Sequence, residues 1–315
     1  RQAMAYQLQE INSNLREDPA AFISQCDERY HSRVVHAANT ILERISQSPI
    51  VLLSGPSGSG KTITALKVEE ELERRGVECH AVALDNYFIT RDPATAPRTP
   101  EGDFDLESPL CLDMALLDET FTKLSQGEEV IVPHFDFPNQ RRDESRGRPL
   151  RLGKNEICIF EGIHALGPGI AGPHPEATKL YVSARSNIME DGAVRFKGTW
   201  MRIVRRAVRD LNFRGYSIAD TLSIWANVRR GEKLYISPYK ETADVIIDSS
   251  LPYEVPVMKN YAGDFLAAVP RDNPRSAELR ELAAAFDYFE TLDPALVPKA
   301  SLLREFIGGG SYHYK

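Results

Sequence analysis

The sequence predicts an α/β protein: a three-layer sandwich on a five-stranded parallel sheet, with an arginine-rich helical lid and added helices at both ends. Three observations carry this. An apolar run at residues 50–53 enters a glycine-rich turn and then a periodic helix over about 62–75. Four further runs, at 79–84, 157–160, 179–183 and 244–248, read as the remaining strands. Between the last two lies a helix over 199–212 whose charged positions are all arginine but Asp210.

Residues 55–62 read Gly-Pro-Ser-Gly-Ser-Gly-Lys-Thr, the G-x-x-x-x-G-K-[ST] spacing of a P-loop in its strand, loop and helix setting. The reason is anion binding. Gly55, Gly58 and Gly60 permit backbone conformations closed to larger residues, so that loop N–H groups surround a phosphate at the positive end of the following helix. The nucleotide-binding set is therefore Gly55, Ser57, Gly58, Ser59, Gly60, Lys61 and Thr62. Lys61 reaches the β- and γ-phosphates, and the Thr62 hydroxyl binds Mg²⁺. A glycine-rich turn with an accidental lysine is the plain alternative, and the flanking strand and helix weigh against it.

Composition narrows the class. The chain has 315 residues, 42% hydrophobic and 26% charged, with net charge −7, which argues against a nucleic-acid surface as the main business. No run approaches the ~18 apolar residues of a membrane span. Residues 1–10 lack the apolar core of a secretory signal. Cys26, Cys79, Cys111 and Cys158 are scattered, with no C-x-x-C pair, as expected of buried thiols in a reducing compartment. A cytoplasmic location is the resulting expectation. The chain begins with Arg1 rather than Met, as a fragment or processed product would.

Residues 1–48 read as helical, an appendage or a dimerising arm, which leaves a homo-oligomer open. The strand at 79–84 ends in Asp85 and the central strand at 157–160 ends in Glu161. Acids at the carboxyl ends of parallel strands lie beside the ligand crevice, so Asp85 is placed to act on the reacting group. Residues 89–107 read as a substrate-facing loop, with a solvated connection as its alternative. Residues 138–153 read as an excursion or hairpin. Arg202, Arg205, Arg206 and Arg209 share one helix face, which suggests a cationic lid over a triphosphate, a solvated face being the alternative. Residues 256–315 read as a mostly helical tail. The domain expectation is a helical extension at 1–48, a P-loop domain at 49–255 and a second extension at 256–315.

Together the P-loop, Leu-Asp-Asn-Tyr-Phe (84–88), Asp-Phe-Asp (103–105), Phe-Asp-Phe (135–137), Phe-Glu-Gly-Ile-His-Ala-Leu (160–166), the arginine run at 205–215 and Asp-Val-Ile-Ile-Asp (244–248) resemble the uridine kinase and phosphoribulokinase family. The tail, with Leu-Arg-Glu-Phe-Ile-Gly-Gly at 303–309, resembles the end of longer bacterial uridine kinase-like proteins. The resemblance implies phosphorylation of a small-molecule hydroxyl by ATP or GTP with Mg²⁺. It makes Asp85 the base, gives Asp105 the sugar hydroxyls, and has Glu161 assist Thr62 at Mg²⁺. It gives Arg205, Arg206, Arg209 and Arg214 lid contacts to phosphates, with Lys61, Arg205 and Arg209 acting in catalysis. The base-reading positions are Phe135, where the family commonly has tyrosine, and Gln140, where it commonly has histidine. The acceptor therefore stays open between a nucleoside and a sugar or sugar phosphate, and a nucleotide-binding regulatory module without turnover is the rival from another class. An acceptor phosphate would call on Arg141 and Arg142, while His134 and His164 lie near the motifs.

Overall fold

The computed structural model describes residues 5–272 and 276–313; residues 1–4, 273–275 and 314–315 of the two expected extensions lie outside the described residues. The chain opens with β1 (Tyr6–Gln7), α1 (Leu8–Glu17) and α2 (Pro19–Arg44). Asp18 separates the two helices: its side chain accepts a hydrogen bond from the Ala21 amide at 3.1 Å, and Pro19 occupies the first turn, where no amide donor is needed. Next come β2 (Ile50–Ser54), α3 (Lys61–Arg74), β3 (Glu78–Ala83) and α4 (Met114–Ser125). The excursion is two antiparallel pairs: β4 (Val130–Val132) with β7 (Arg148–Leu150), and β5 (Phe135–Asp136) with β6 (Arg141–Arg142). Then follow β8 (Glu156–Glu161), β9 (Thr178–Ser183), the hairpin of β10 (Ile188–Glu190) and β11 (Ala193–Phe196), α5 (Gly198–Phe213), α6 (Ile218–Gly231) and β12 (Val245–Asp248). Short helices close the chain: α7 (Glu254–Met258), α8 (Ala262–Ala268), α9 (Ser276–Ala285) and α10 (Arg304–Ile307).

The expected five-stranded core is present, in the order β12-β9-β2-β8-β3, and every neighbouring pair is parallel. Register decides what shares the rim. Leu53 of β2 and Ala83 of β3 both lie opposite Glu161 of β8, so the P-loop, Asp85 and Glu161 leave the sheet at one level. Alternation along β2 sends Ile50 and Leu52 to one face and Val51 and Leu53 to the other. Ile50 and Leu52 pack with Leu117, Phe121 and Leu124 of α4. The opposite core holds Val51 and Leu53 with residues of α3 and α5, and both chain ends join it: Val34, Ala38 and Ile41 of α2, and Leu302, Leu303 and Phe306 of the tail. Polar ties reinforce this, including Tyr30 Oη to Thr64 Oγ1 at 2.5 Å and Arg33 to the Asp248 carbonyl at 2.9 Å.

One small sheet lies outside the expectations. β1 runs parallel to β10, which turns back on β11 through Asp191 (φ +48°) and Gly192 (φ +79°). The Asp-Gly pair is a hairpin signal in its own right. The flanking strands, three and four residues long, are too short to display a period.

Because α2 shares the core of the sheet, Ile41→Ala should destabilise the whole chain by about 2–5 kcal/mol. Urea denaturation followed by circular dichroism and by tryptophan fluorescence should give coincident, shifted transitions; two separated transitions would show that α2 unfolds by itself.

Candidate active site

The phosphate loop is shaped by two left-handed glycines and held by two buried arginines. Gly58 (φ +75°) could not carry a side chain, since a Cβ there would lie 2.6 Å from the Arg202 carbonyl oxygen. Gly60 (φ +86°) caps α3, and a Cβ on it would lie 2.7 Å from Leu302 of the tail. Arg202 donates to the Ser57 carbonyl at 3.1 Å and is held by Glu232 at 2.6 and 3.0 Å. Arg205 donates to the Gly58 and Ser59 carbonyls, each at 3.3 Å, and forms a bidentate pair with Glu254 at 2.8 and 2.7 Å. Three loop carbonyls, which would repel a phosphate, are thereby turned toward cations behind the loop.

In front of the loop, at the carboxyl rim of the sheet, opens a cavity of about 1280 Å³, lined among others by Lys61, Thr62, Asp85, Glu161, Arg206 and Arg209. Burial pulls the Lys61 ammonium below its ordinary pKa, with Glu161 and then Glu305 opposing. It pushes the Asp85 carboxyl up, against the attraction of Lys61. It raises Glu161 to about 7, again with Lys61 opposing. Removal from water disfavours charge on each group, and each partner of opposite sign restores part of it.

The arginine helix divides rather than forming a single lid face. Arg202 and Arg205 point into the protein; Arg205 is fully buried, its guanidinium taken up by Glu254, Ser249 and the loop carbonyls. Arg205, expected to contact phosphate and act in catalysis, is thus placed behind the loop and off the cavity wall. Arg206, Arg209 and Arg214 line the cavity. The one acid of that helix, Asp210, is 2% exposed and lies 3.2, 3.9 and 3.4 Å from their guanidinium nitrogens. Arg206 also donates to Ser57 Oγ at 2.7 Å. Arg209 Nε is buried without a hydrogen-bond partner in the protein, as suits a group that meets an incoming anion.

The acceptor-side expectations are rearranged. Asp105 is buried off the cavity wall, accepting from Tyr235 Oη at 2.9 Å and from the Glu107 amide at 3.2 Å, with Arg230 at 3.7 Å. Those bonds tie the 89–107 loop to the segment after α6, so its carboxylate frames the site. Phe135 is buried beneath Phe88, ring centroids 5.6 Å apart, and Phe88 is the ring on the wall. Gln140 (φ +52°) is exposed, its amide donating to the Phe137 carbonyl at 2.7 Å, and it too lies off the wall. Arg142 is engaged by Asp113 at 3.0 Å and by the Tyr87 and Phe88 carbonyls. Three cavity acids escaped sequence reasoning. Glu107 lies two residues past the quoted Asp-Phe-Asp motif, Glu232 follows α6, and Glu305 reaches the site from a tail motif noticed only as a resemblance.

His164 is buried, and desolvation holds its imidazole down to about 4. A histidine kept neutral in the fold binds fewer protons than in the unfolded chain between about pH 6.5 and 4, so stability is present above 6.5 and lost as pH falls through that window. His164→Gln should flatten this acid limb by on the order of 1–3 kcal/mol in denaturation curves taken at pH 7 and pH 4.5. Arg205→Ala, which strands Glu254, should lower stability by about 3–5 kcal/mol in urea. Arg206→Ala, at the cavity edge, should cost less than about 1 kcal/mol in the same measurement.

The family resemblance is borne out by comparison with known proteins. Residues 50–170 match the Phosphoribulokinase / Uridine kinase family. A uridine kinase of Macrococcus caseolyticus is 28% identical over 204 residues, spanning 64% of this chain and 89% of that protein. A uridine kinase of Staphylococcus haemolyticus is 28% identical over 204 residues, covering 64% and 88%. A solved structure described as a possible uridine kinase from Bacillus stearothermophilus superposes with a TM-score of 0.44 at 17% identity, over 69% of this chain and 98% of that one. The chain is a P-loop kinase whose residues 50–170 match the model of the Phosphoribulokinase / Uridine kinase family.

Proposed function

We propose that the chain transfers the γ-phosphoryl group of ATP or GTP to a hydroxyl of a nucleoside, with residues 49–255 as the kinase domain and the two terminal segments as extensions built into its core. The observation that carries the reading is one cavity that joins Lys61, Thr62, Asp85 and Glu161 to Arg206, Arg209 and Arg214. Phosphoryl transfer asks the protein mainly for positioning and for charge, and these groups supply both.

Asp85 orients the acceptor hydroxyl and takes its proton as the oxygen bonds to the γ-phosphorus and the bond to the β-phosphate oxygen breaks. Its burial-raised pKa brings it nearer to neutral pH, where a base works best. Lys61 and Arg209 hold the phosphates of the donor, and Arg206 and Arg214 add positive charge beside them. The Thr62 hydroxyl and the Glu161 carboxylate are the hard oxygen donors that suit Mg²⁺. Bound there with the nucleotide, the ion would neutralise charge on the phosphates.

The acceptor end favours an uncharged, partly planar molecule. Phe88, backed by Phe135 and Phe137, offers an aromatic wall, and Leu106, Glu107 and Ile163 complete it. Arg141 and Arg142, the candidates for an acceptor phosphate, lie off this wall. Arg148 does line the cavity, and a sugar phosphate is the second reading on that account. A cytoplasmic location is part of the same proposal and rests on the sequence.

Coupled ADP release should be scanned over nucleosides, sugars and sugar phosphates, with ATP and GTP as donors. Turnover with a nucleoside is the expected result; binding of ATP with no turnover on any acceptor would sink the reading. Asp85→Asn should lower kcat by about 10²–10⁴-fold with nucleotide affinity largely kept. A pure binding module would show no such split.

A further inference from the structure

The C-terminal segment brings a carboxylate into the donor end of the cavity. Leu302 rests on the phosphate loop at Gly60, and the Phe306 ring lies 5.4 Å from the Arg205 guanidinium and 5.8 Å from that of Arg209. Between them, on α10, stands Glu305, 4% exposed and lining the same cavity as Lys61 and Arg209. The segment is pinned on both sides. Arg304 donates to the carbonyls of Gly308, Pro294 and Val297 at 3.1, 2.9 and 2.7 Å. Tyr312 donates to Glu70 of α3 at 2.9 Å and lies under Lys67 at 5.0 Å.

The charges around Glu305 favour a particular role. Lys61 and Arg209 attract it, whereas Glu161 repels it. The two attracting cations are those a donor triphosphate needs. Without nucleotide they stand desolvated in a cavity, where an uncompensated charge is costly. A carboxylate in their field relieves that cost, and the same carboxylate repels an incoming polyanion.

We propose that Glu305 is an intramolecular stand-in for the donor's phosphates: it occupies the field of Lys61 and Arg209 in the free protein and is displaced, with its strap at residues 301–312, when nucleotide enters. The proposal rests on the nucleotide reading of the cavity given above. Like charges within one desolvated site oppose each other by far more than they do in water, so the strap and the polyphosphate exclude each other. Nucleotide affinity is then set partly by how firmly Arg304 and Tyr312 hold the strap down.

Calorimetric titration with inorganic tripolyphosphate, which lacks base and sugar, isolates the effect. Glu305→Gln keeps the shape of the side chain and removes its charge, and should bind tripolyphosphate about tenfold more tightly than the unaltered chain. Hydrogen exchange on the unaltered chain gives a second readout that needs no variant: amides within 301–312 should exchange faster once tripolyphosphate is added. Equal or weaker binding by Glu305→Gln, or stronger protection of the strap on addition, overturns the inference and makes Glu305 a partner of the bound nucleotide instead. An unaltered chain that binds neither tripolyphosphate nor ATP overturns the nucleotide reading as well, so the two failures are told apart.

Discussion

Two arginines buried behind the phosphate loop hold the rest of the site in place. Arg202 and Arg205 come from α5, reach the carbonyls of Ser57, Gly58 and Ser59, and are each matched by a glutamate from a different element, Glu232 after α6 and Glu254 at the start of α7. Burying two ion pairs costs desolvation, and only near-complete hydrogen bonding offsets it. That requirement is also what makes the arrangement specific. The loop, the arginine helix and the segment after β12 are correct together or not at all.

The same helix then presents a different face to the cavity. Asp210, almost fully buried, sits among Arg206, Arg209 and Arg214 and accepts from Thr221 at 2.9 Å. One carboxylate cannot neutralise three guanidinium groups, so this face of the helix keeps a positive excess toward the cavity. The arginines act from fixed positions on a packed helix, ten of whose residues are buried, and preorganised charge of this kind needs little rearrangement when an anion arrives.

On the acceptor side the structure works by framing. Asp105 and Tyr235 fasten the proline-rich loop, and Phe135 supports Phe88 from below. Asp105 and Phe135, which motifs mark as substrate readers, here stand one layer behind the wall, and Gln140 lies exposed away from it. The groups that reach the wall are their immediate sequence neighbours, Leu106 and Glu107 in the loop, and the ring that Phe135 supports, Phe88.

The central sheet was legible from the sequence because strands buried on both faces read as short apolar runs, and the P-loop because its glycines and lysine answer to one physical task, wrapping an anion. Lys61, Thr62, Asp85 and Glu161 followed from that, since a residue at the carboxyl end of a parallel strand has little choice of where to lie. What the sequence could not determine is direction about a helix axis and contact across long separations. Arg205 and Arg206 are neighbours in the chain, yet one braces the loop and the other faces the cavity, because successive helical residues differ by about 100° and the packing partners Glu254 and Ser57 lie elsewhere in the chain. Glu305, more than two hundred residues from Lys61, shares a cavity with it only because Leu302 and Phe306 bury the tail against the loop and α5. Local pattern determined the donor machinery; tertiary burial decided which charges face it.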